Sequence, residues 1–160
     1  LDVSNFNTSK VTNMGQMFSG SQATTLDVSN FDTSKVIGMG AMFHNSKATT
    51  IKGLENFDTS NVTRMSLMFS GSVVTSLDLS NFDTSKVTDM AEMFDNTQNL
   101  KIIYASNKFN TDKVTSSEYM FYCPNLVGGA GTKFVSNKTD KTYARIDGGT
   151  SNPGYFTAKN

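Results

Sequence analysis

Leu77-Asp78-Leu79-Ser80-Asn81-Phe82-Asp83-Thr84-Ser85-Lys86-Val87-Thr88-Asp89-Met90-Ala91-Glu92-Met93-Phe94 is one copy of a unit that recurs through most of the chain. Its two phenylalanines set the register. Phe6, Phe31, Phe57, Phe82 and Phe109 stand 25, 26, 25 and 27 residues apart. Phe18, Phe43, Phe69, Phe94 and Phe121 each follow a member of the first set by 12 residues. All nine methionines and ten of the twelve phenylalanines occupy these shared positions. Self-similarity at such a period marks a stacked-repeat architecture, in which each unit covers the apolar face of its neighbour. The question of function moves from a pocket to a surface.

Within the unit the apolar period changes. Leu26, Val28 and Asn30 alternate with Asp27 and Ser29, the two-residue period of a strand buried on one face. Asp32-Thr33-Ser34 then offers acceptors suited to a turn and a helix N-cap. Val36, Met39, Met42 and Phe43 follow at offsets 0, 3, 6 and 7, which predicts one face of a short helix. The same layout recurs at Val11, Met14, Met17, Phe18, at Val62, Met65, Met68, Phe69 and at Val87, Met90, Met93, Phe94. The fifth copy keeps only Val114, Met120 and Phe121. The expected fold is α/β: a leucine-rich-repeat-like solenoid with one parallel strand and one short helix per coil of about 25 residues.

The units are not uniform. Ile51-Lys52-Gly53-Leu54-Glu55-Asn56-Phe57 carries an extra residue, expected as a bulge or bend, and Ile102 to Phe109 has a similar insertion. From Leu126 the repeat gives way to strand-like runs bounded by Gly and Pro. This predicts a five-repeat solenoid over 1–126 and a small β-rich C-terminal cap over 127–160. Leu1 opens in mid-motif, so the expectation is an N-terminally truncated array. Its open first coil should fray or associate edge to edge with another chain.

Composition excludes several classes. Fourteen basic and fourteen acidic residues cancel, so long-range attraction to nucleic acid or an anionic membrane has no source. No apolar run approaches the roughly 18 residues of a membrane span. No basic start with an apolar stretch marks a signal peptide, which in a fragment says nothing about compartment. The single cysteine, Cys123, cannot form an internal disulfide, and its place near Pro124 and Leu126 reads as a buried inert thiol. The one histidine, His44, falls at a variable loop position and reads as an ordinary surface residue. No zinc-protease, nucleophile-elbow or phosphate-loop signature occurs, so the expectation is a non-enzyme without cofactor or metal.

Recurrent acidic positions have structural readings. Asp32, Asp58 and Asp83, with Asn7 and Asn110 equivalent, suit turn capping better than a row of cation ligands. The methionine stripe reads as core. The outward face of the strands is the most plausible binding surface: Asp27, Ser29, Lys52, Glu55, Asp78, Ser80 and Tyr104. All five tyrosines fall in the last third, so Tyr119 and Tyr122 join the candidates, either as a recognition patch or as amphipathic cover for a cap.

The order Val74-x-x-Leu77-x-Leu79-Ser80-Asn81-Phe82-Asp83-Thr84-Ser85-x-Val87-Thr88-x-Met90-x-x-Met93-Phe94 resembles the 26-residue repeat of bacterial surface proteins. That family is similar to the BspA-like leucine-rich repeats and to repeat lipoproteins of mycoplasmas. The resemblance covers roughly residues 1–126, and the segment from Asp140 to Thr157 looks like the tail that ends such arrays. It implies a surface-displayed, extracellular protein whose role is adhesion or protein–protein contact, with no shared catalytic residues. The implied partner is an extracellular protein or host-surface ligand. A passive stalk and a carbohydrate-binding module are the alternatives.

Overall fold

The computed structural model describes residues 1–159. Strands β1 (Thr25–Asp27) and β2 (Thr50–Lys52) pair in parallel with Leu26 opposite Ile51. Strands β3 (Ser76–Asp78) and β4 (Ile102–Ala105) pair in parallel with Leu77 opposite Ile103, and β5 (Thr157–Ala158) adds to the far edge of β4. Equivalent strand residues of successive repeats thus face one another. Between β2 and β3 the described residues form no ladder. The extra residue of the third copy sits at this break, not as a bulge but as a single 3₁₀ turn, Leu54–Asn56, entered through Gly53 at φ 92°. A Cβ on Gly53 would lie 2.5 Å from the backbone of Ser29, so the close approach of the two coils requires glycine. Across the break the Asn81 side-chain amide donates to the Glu55 carbonyl.

The short helix predicted after each strand does not form. Among the described residues the helical elements are three 3₁₀ turns, none of them in a Met-x-x-Met-Phe segment. The predicted burial holds in the second, third and fourth copies, where Val36, Met39, Met42 and Phe43 and their equivalents are fully buried, but not in the first, where Met17 is 37% exposed and Val11 half-buried. Their backbone is a run of tight turns. The N–H groups of Met14, Gln16, Phe18 and Gly20 donate to the carbonyls of Gly38, Gly40, Met42 and His44 in the next coil, at 2.9, 3.0, 2.9 and 2.8 Å. Alternate N–H groups, of Met17, Ser19 and Ser21, close turns onto Met14, Gln16 and Phe18 of their own coil. The pattern repeats from Met39 to Arg64, Met65 to Asp89 and Met90 to Ser116.

This geometry asks for left-handed residues at fixed places. Gln16, Ala41, Leu67, Glu92 and Tyr119 have φ of 60°, 55°, 60°, 56° and 52°. A second column, Gly20, Asn45, Gly71 and Asn96, has φ of 68°, 53°, 65° and 53°. Positive φ at the third residue is what a type II turn demands. An α-helix would satisfy its N–H groups internally and leave few for the neighbouring coil. A seven-residue helix would also barely outgrow its nucleation cost. The turn run accepts about 1–2 kcal/mol of left-handed strain per non-glycine residue and gains a hydrogen bond between coils at every second residue.

Two further columns lock the stack. Phe18, Phe43, Phe69, Phe94 and Phe121 lie ring over ring, with centroids 5.6, 5.5, 5.8 and 5.3 Å apart. The middle residue of each Asp-Thr-Ser is buried rather than part of a cap: Thr8, Thr33, Thr59 and Thr84 donate to the carbonyls of Asp32, Asp58, Asp83 and Asn110 one coil on, at 3.1, 3.0, 2.9 and 2.6 Å. Thr8, Thr33 and Thr84 also accept the N–H of Asp32, Asp58 and Asn110, each at 2.8 Å. Phe6 is 51% exposed where its equivalent Phe31 is 5% exposed.

The segment beyond Leu126 closes the other end. Phe156 packs edge-on against Phe109 at 4.8 Å and Tyr155 against Phe121 at 5.0 Å. It is less β-structured than predicted: β5 has two residues, and the rest is isolated bridges and the 3₁₀ turns Lys141–Tyr143 and Gly149–Ser151. A carboxylate takes the place of a ladder. Asp147, buried, accepts the N–H groups of Ala130, Thr132, Gly149 and Gly154 and the hydroxyl of Thr132, at 2.8, 2.9, 3.0, 3.4 and 2.7 Å. Burial alone would raise its pKa, but these donors outweigh it and hold the group down at about 2.

Three outcomes follow for unfolding measurements. In denaturant titrations Phe69→Ala should lose about 3–5 kcal/mol, while Phe6→Ala at the exposed end loses about 1 kcal/mol or less. Gln16→Gly should be neutral or stabilising by up to about 1 kcal/mol and Gln16→Val destabilising by about 1–3 kcal/mol, an ordering opposite to that of a helix. Because the folded pKa of Asp147 is depressed, its stabilisation is complete above the unfolded value of about 3.9 and is lost as pH falls toward 2. Asp147→Asn should lower the thermal midpoint at pH 7 and flatten its decline between about pH 4 and pH 2.

Candidate functional site

Asp-x-Ser pairs close β1 and β3 and shape the outward face there. Asp27 Oδ1 accepts the N–H and hydroxyl of Ser29 at 3.1 and 2.6 Å, and Asp78 Oδ1 accepts those of Ser80 at 3.1 and 2.6 Å. These aspartates therefore do the same turn-capping work as Asp32, Asp58 and Asp83, which hold Ser34, Ser60 and Ser85. The hydroxyl and N–H of Ser29, with Lys52 opposite, hold the carboxyl of Asp27 below its ordinary range. Lys52 opposite Asp27 also puts unlike charge at that cross-strand position.

The candidates do not form one patch. Asp27, Ser29 and Lys52 belong to the first sheet and its turns. Glu55, in the 3₁₀ turn, lines a groove of 680 Å³ together with Asp78, Ser80, Asn81, Lys108 and Lys159. The groove lies at the sheet break and is floored in part by the insertions of the third and fifth copies. Tyr104 stands opposite Asp78 on β4 and opposite Thr157 on β5. Tyr119 and Tyr122 lie elsewhere. Tyr119, 67% exposed, is the last member of the left-handed turn column, and Tyr122 packs edge-on against Phe134 at 5.8 Å. Tyr143 and Tyr155 pack on each other in the cap at 5.2 Å. The tyrosines thus spread over three environments.

Lys159 is the residue that sequence reading missed. It lies outside the repeat register, and nothing in the pattern places it beside a strand 81 residues earlier. Its N–H donates to the Ala105 carbonyl at 2.9 Å, its ammonium pairs with Asp78 Oδ2, and it stands 5.6 Å from the centre of the Tyr104 ring. Partial burial would raise the pKa of Asp78, but the Lys159 ammonium and the two Ser80 donors prevail and lower it. The hydrogen bond to Asp78 raises that of Lys159 in turn.

Other reactive side chains are spoken for. The Cys123 thiol is buried, 2.9 Å from Thr97 Oγ1 and 3.1 Å from the Phe94 carbonyl, and burial pushes its pKa up to about 12. It stays protonated and unreactive at neutral pH. His44 Nε2 contacts the Asn45 amide at 2.8 Å. Among the described residues no three His, Cys, Asp or Glu side chains converge as metal ligands would.

No curated protein and no solved structure matches the chain. A family model does, over residues 1–72 and again over 46–146. The overlap of the two matches is what a register of interchangeable coils produces. Together they span nearly all of the 160 residues, and the chain belongs to the family described as Mycoplasma protein of unknown function, DUF285.

Proposed function

We propose that this chain is a non-enzymatic interaction domain, displayed outside the cell, that attaches to or assembles with another protein through the outward face of its strands. Its coils form a rigid leucine-rich-repeat-like solenoid, and side chains outside the repeat register do the contacting. The observation that carries this reading is the groove at the sheet break. There Glu55, Asp78, Lys108 and Lys159 bring both signs of charge to a shallow, extended concavity beside Tyr104. Charge of both signs around an aromatic suits a protein surface, where complementarity sets partner choice. A flat sugar ring would need the open face of Tyr104, and Lys159 stands over that face.

The test is capture by the immobilised full chain from a panel of purified matrix proteins and glycans. At least one protein should bind, and Tyr104→Ala or Lys108→Ala should weaken it about tenfold. Binding of nothing above background would leave the passive stalk. Binding of glycans alone, lost on Tyr104→Ala, would leave the carbohydrate module.

A further inference from the structure

The chain's own tail lies on the sheet edge and puts one side chain into the groove. β5 runs parallel to β4 with Thr157 opposite Tyr104 and Ala158 opposite Ala105. Lys159, two residues beyond Thr157, falls on the face that carries Tyr104. Two groups meet its ammonium, and a third lies in the same groove. Asp78 Oδ1 is tied down by the N–H and hydroxyl of Ser80, so Oδ2 is presented in a fixed direction and accepts from Lys159. The Tyr104 ring lies 5.6 Å away. The Glu55 carboxylate, in no ion pair among the described residues, lines the same groove. An oriented carboxylate and an aromatic face meet the ammonium, and a second carboxylate lines the groove around it, which is the chemistry that holds a compact cation. An exposed ion pair standing alone would contribute little. Here the turn and the strand pre-position both partners, and the seat remains if the tail's side chain leaves.

We propose that Asp78, Tyr104 and Glu55 form a lysine-binding subsite, which Lys159 fills in cis and a lysine side chain of the protein partner fills in trans. The inference rests on the sheet face being the interaction surface, and it names the chemistry recognised there. The ammonium of the tail acts as a tethered competitor. Its local concentration sets how strongly an external lysine must bind to displace it. Lys159 is half exposed, with an open path between it and solvent, so exchange requires only a change of rotamer.

The probe is Nα-acetyl-lysine N-methylamide, titrated into the full chain and followed by the amide resonances of Ser80, Tyr104 and Ala105. Lys159→Ala should bind it about tenfold more tightly than the natural chain does, because the competitor is gone. The double variant Lys159→Ala, Asp78→Asn should lose that binding while its thermal midpoint is kept, since asparagine retains the oxygen that Ser80 needs. The norleucine analogue of the probe should not bind. Equal affinity with and without Lys159, equal binding of the norleucine analogue, or no binding to Lys159→Ala would each overturn the subsite. The broader reading is decided separately. A chain that captures a protein in the panel yet ignores the probe keeps its surface role and loses the subsite, and the reverse result separates the two the other way.

Discussion

The structure depends on one backbone hydrogen-bond ladder, and it is not the sheet. From Met14 to Phe94 every second N–H of the turn segment reaches forward to the next coil. The sheet breaks between β2 and β3, yet Met65 still donates to Asp89, Leu67 to Ala91 and Phe69 to Met93 across the same two coils. The phenylalanine and threonine columns run alongside and share its register. A coil of this size cannot bury enough of itself to be stable alone, so the bonds between coils decide whether any coil exists. The left-handed column is the strain that this ladder accepts. Gln16, Ala41, Leu67, Glu92 and Tyr119 share little chemistry, which shows that the backbone and not the side chain sets the position.

With continuity carried by the turn side, the strand side is free to vary. The third copy takes an extra residue, turns through Gly53 and parts the sheet, and the fold tolerates it because Asn81 bridges to Glu55 and the ladder behind is intact. The parting places Glu55 at the margin of a groove otherwise lined by the turns after β3 and β4 and by the C-terminal segment. The fifth copy lengthens its strand to four residues, offering β4 an edge long enough for β5. Irregularity on one side of the coil and uniformity on the other is a division of labour between recognition and support.

Much of the fold was legible in the chain. The two phenylalanine registers set the coil length, the alternation at Leu26 and Val28 located the strand, and every member of the Val36, Met39, Met42, Phe43 set is buried as read. The conformation of that set was not legible. Offsets of 0, 3, 6 and 7 describe which side chains point inward, and two successive tight turns meet that pattern as well as a helix does. The repeated Gly, Ser and Asn around the methionines fit turns, but Gln, Ala, Leu, Glu and Tyr at the left-handed column hid them. Site reading met a similar limit. Asp27 and Asp78 were visible as an outward column, while their work on Ser29 and Ser80 depended on where the strand ends. Lys159 belonged to no repeat at all, so only three-dimensional proximity revealed it.

The ladder also has a direction. All its N–H groups point toward the C-terminal coil, and all its accepting carbonyls point back. Each interface between coils is therefore polar along this segment, with N–H groups on one side and carbonyls on the other. A coil turned end over end within the array would set donor against donor on one side of this segment and acceptor against acceptor on the other. The stack is a vector: a neighbour can extend it only by arriving in the same orientation.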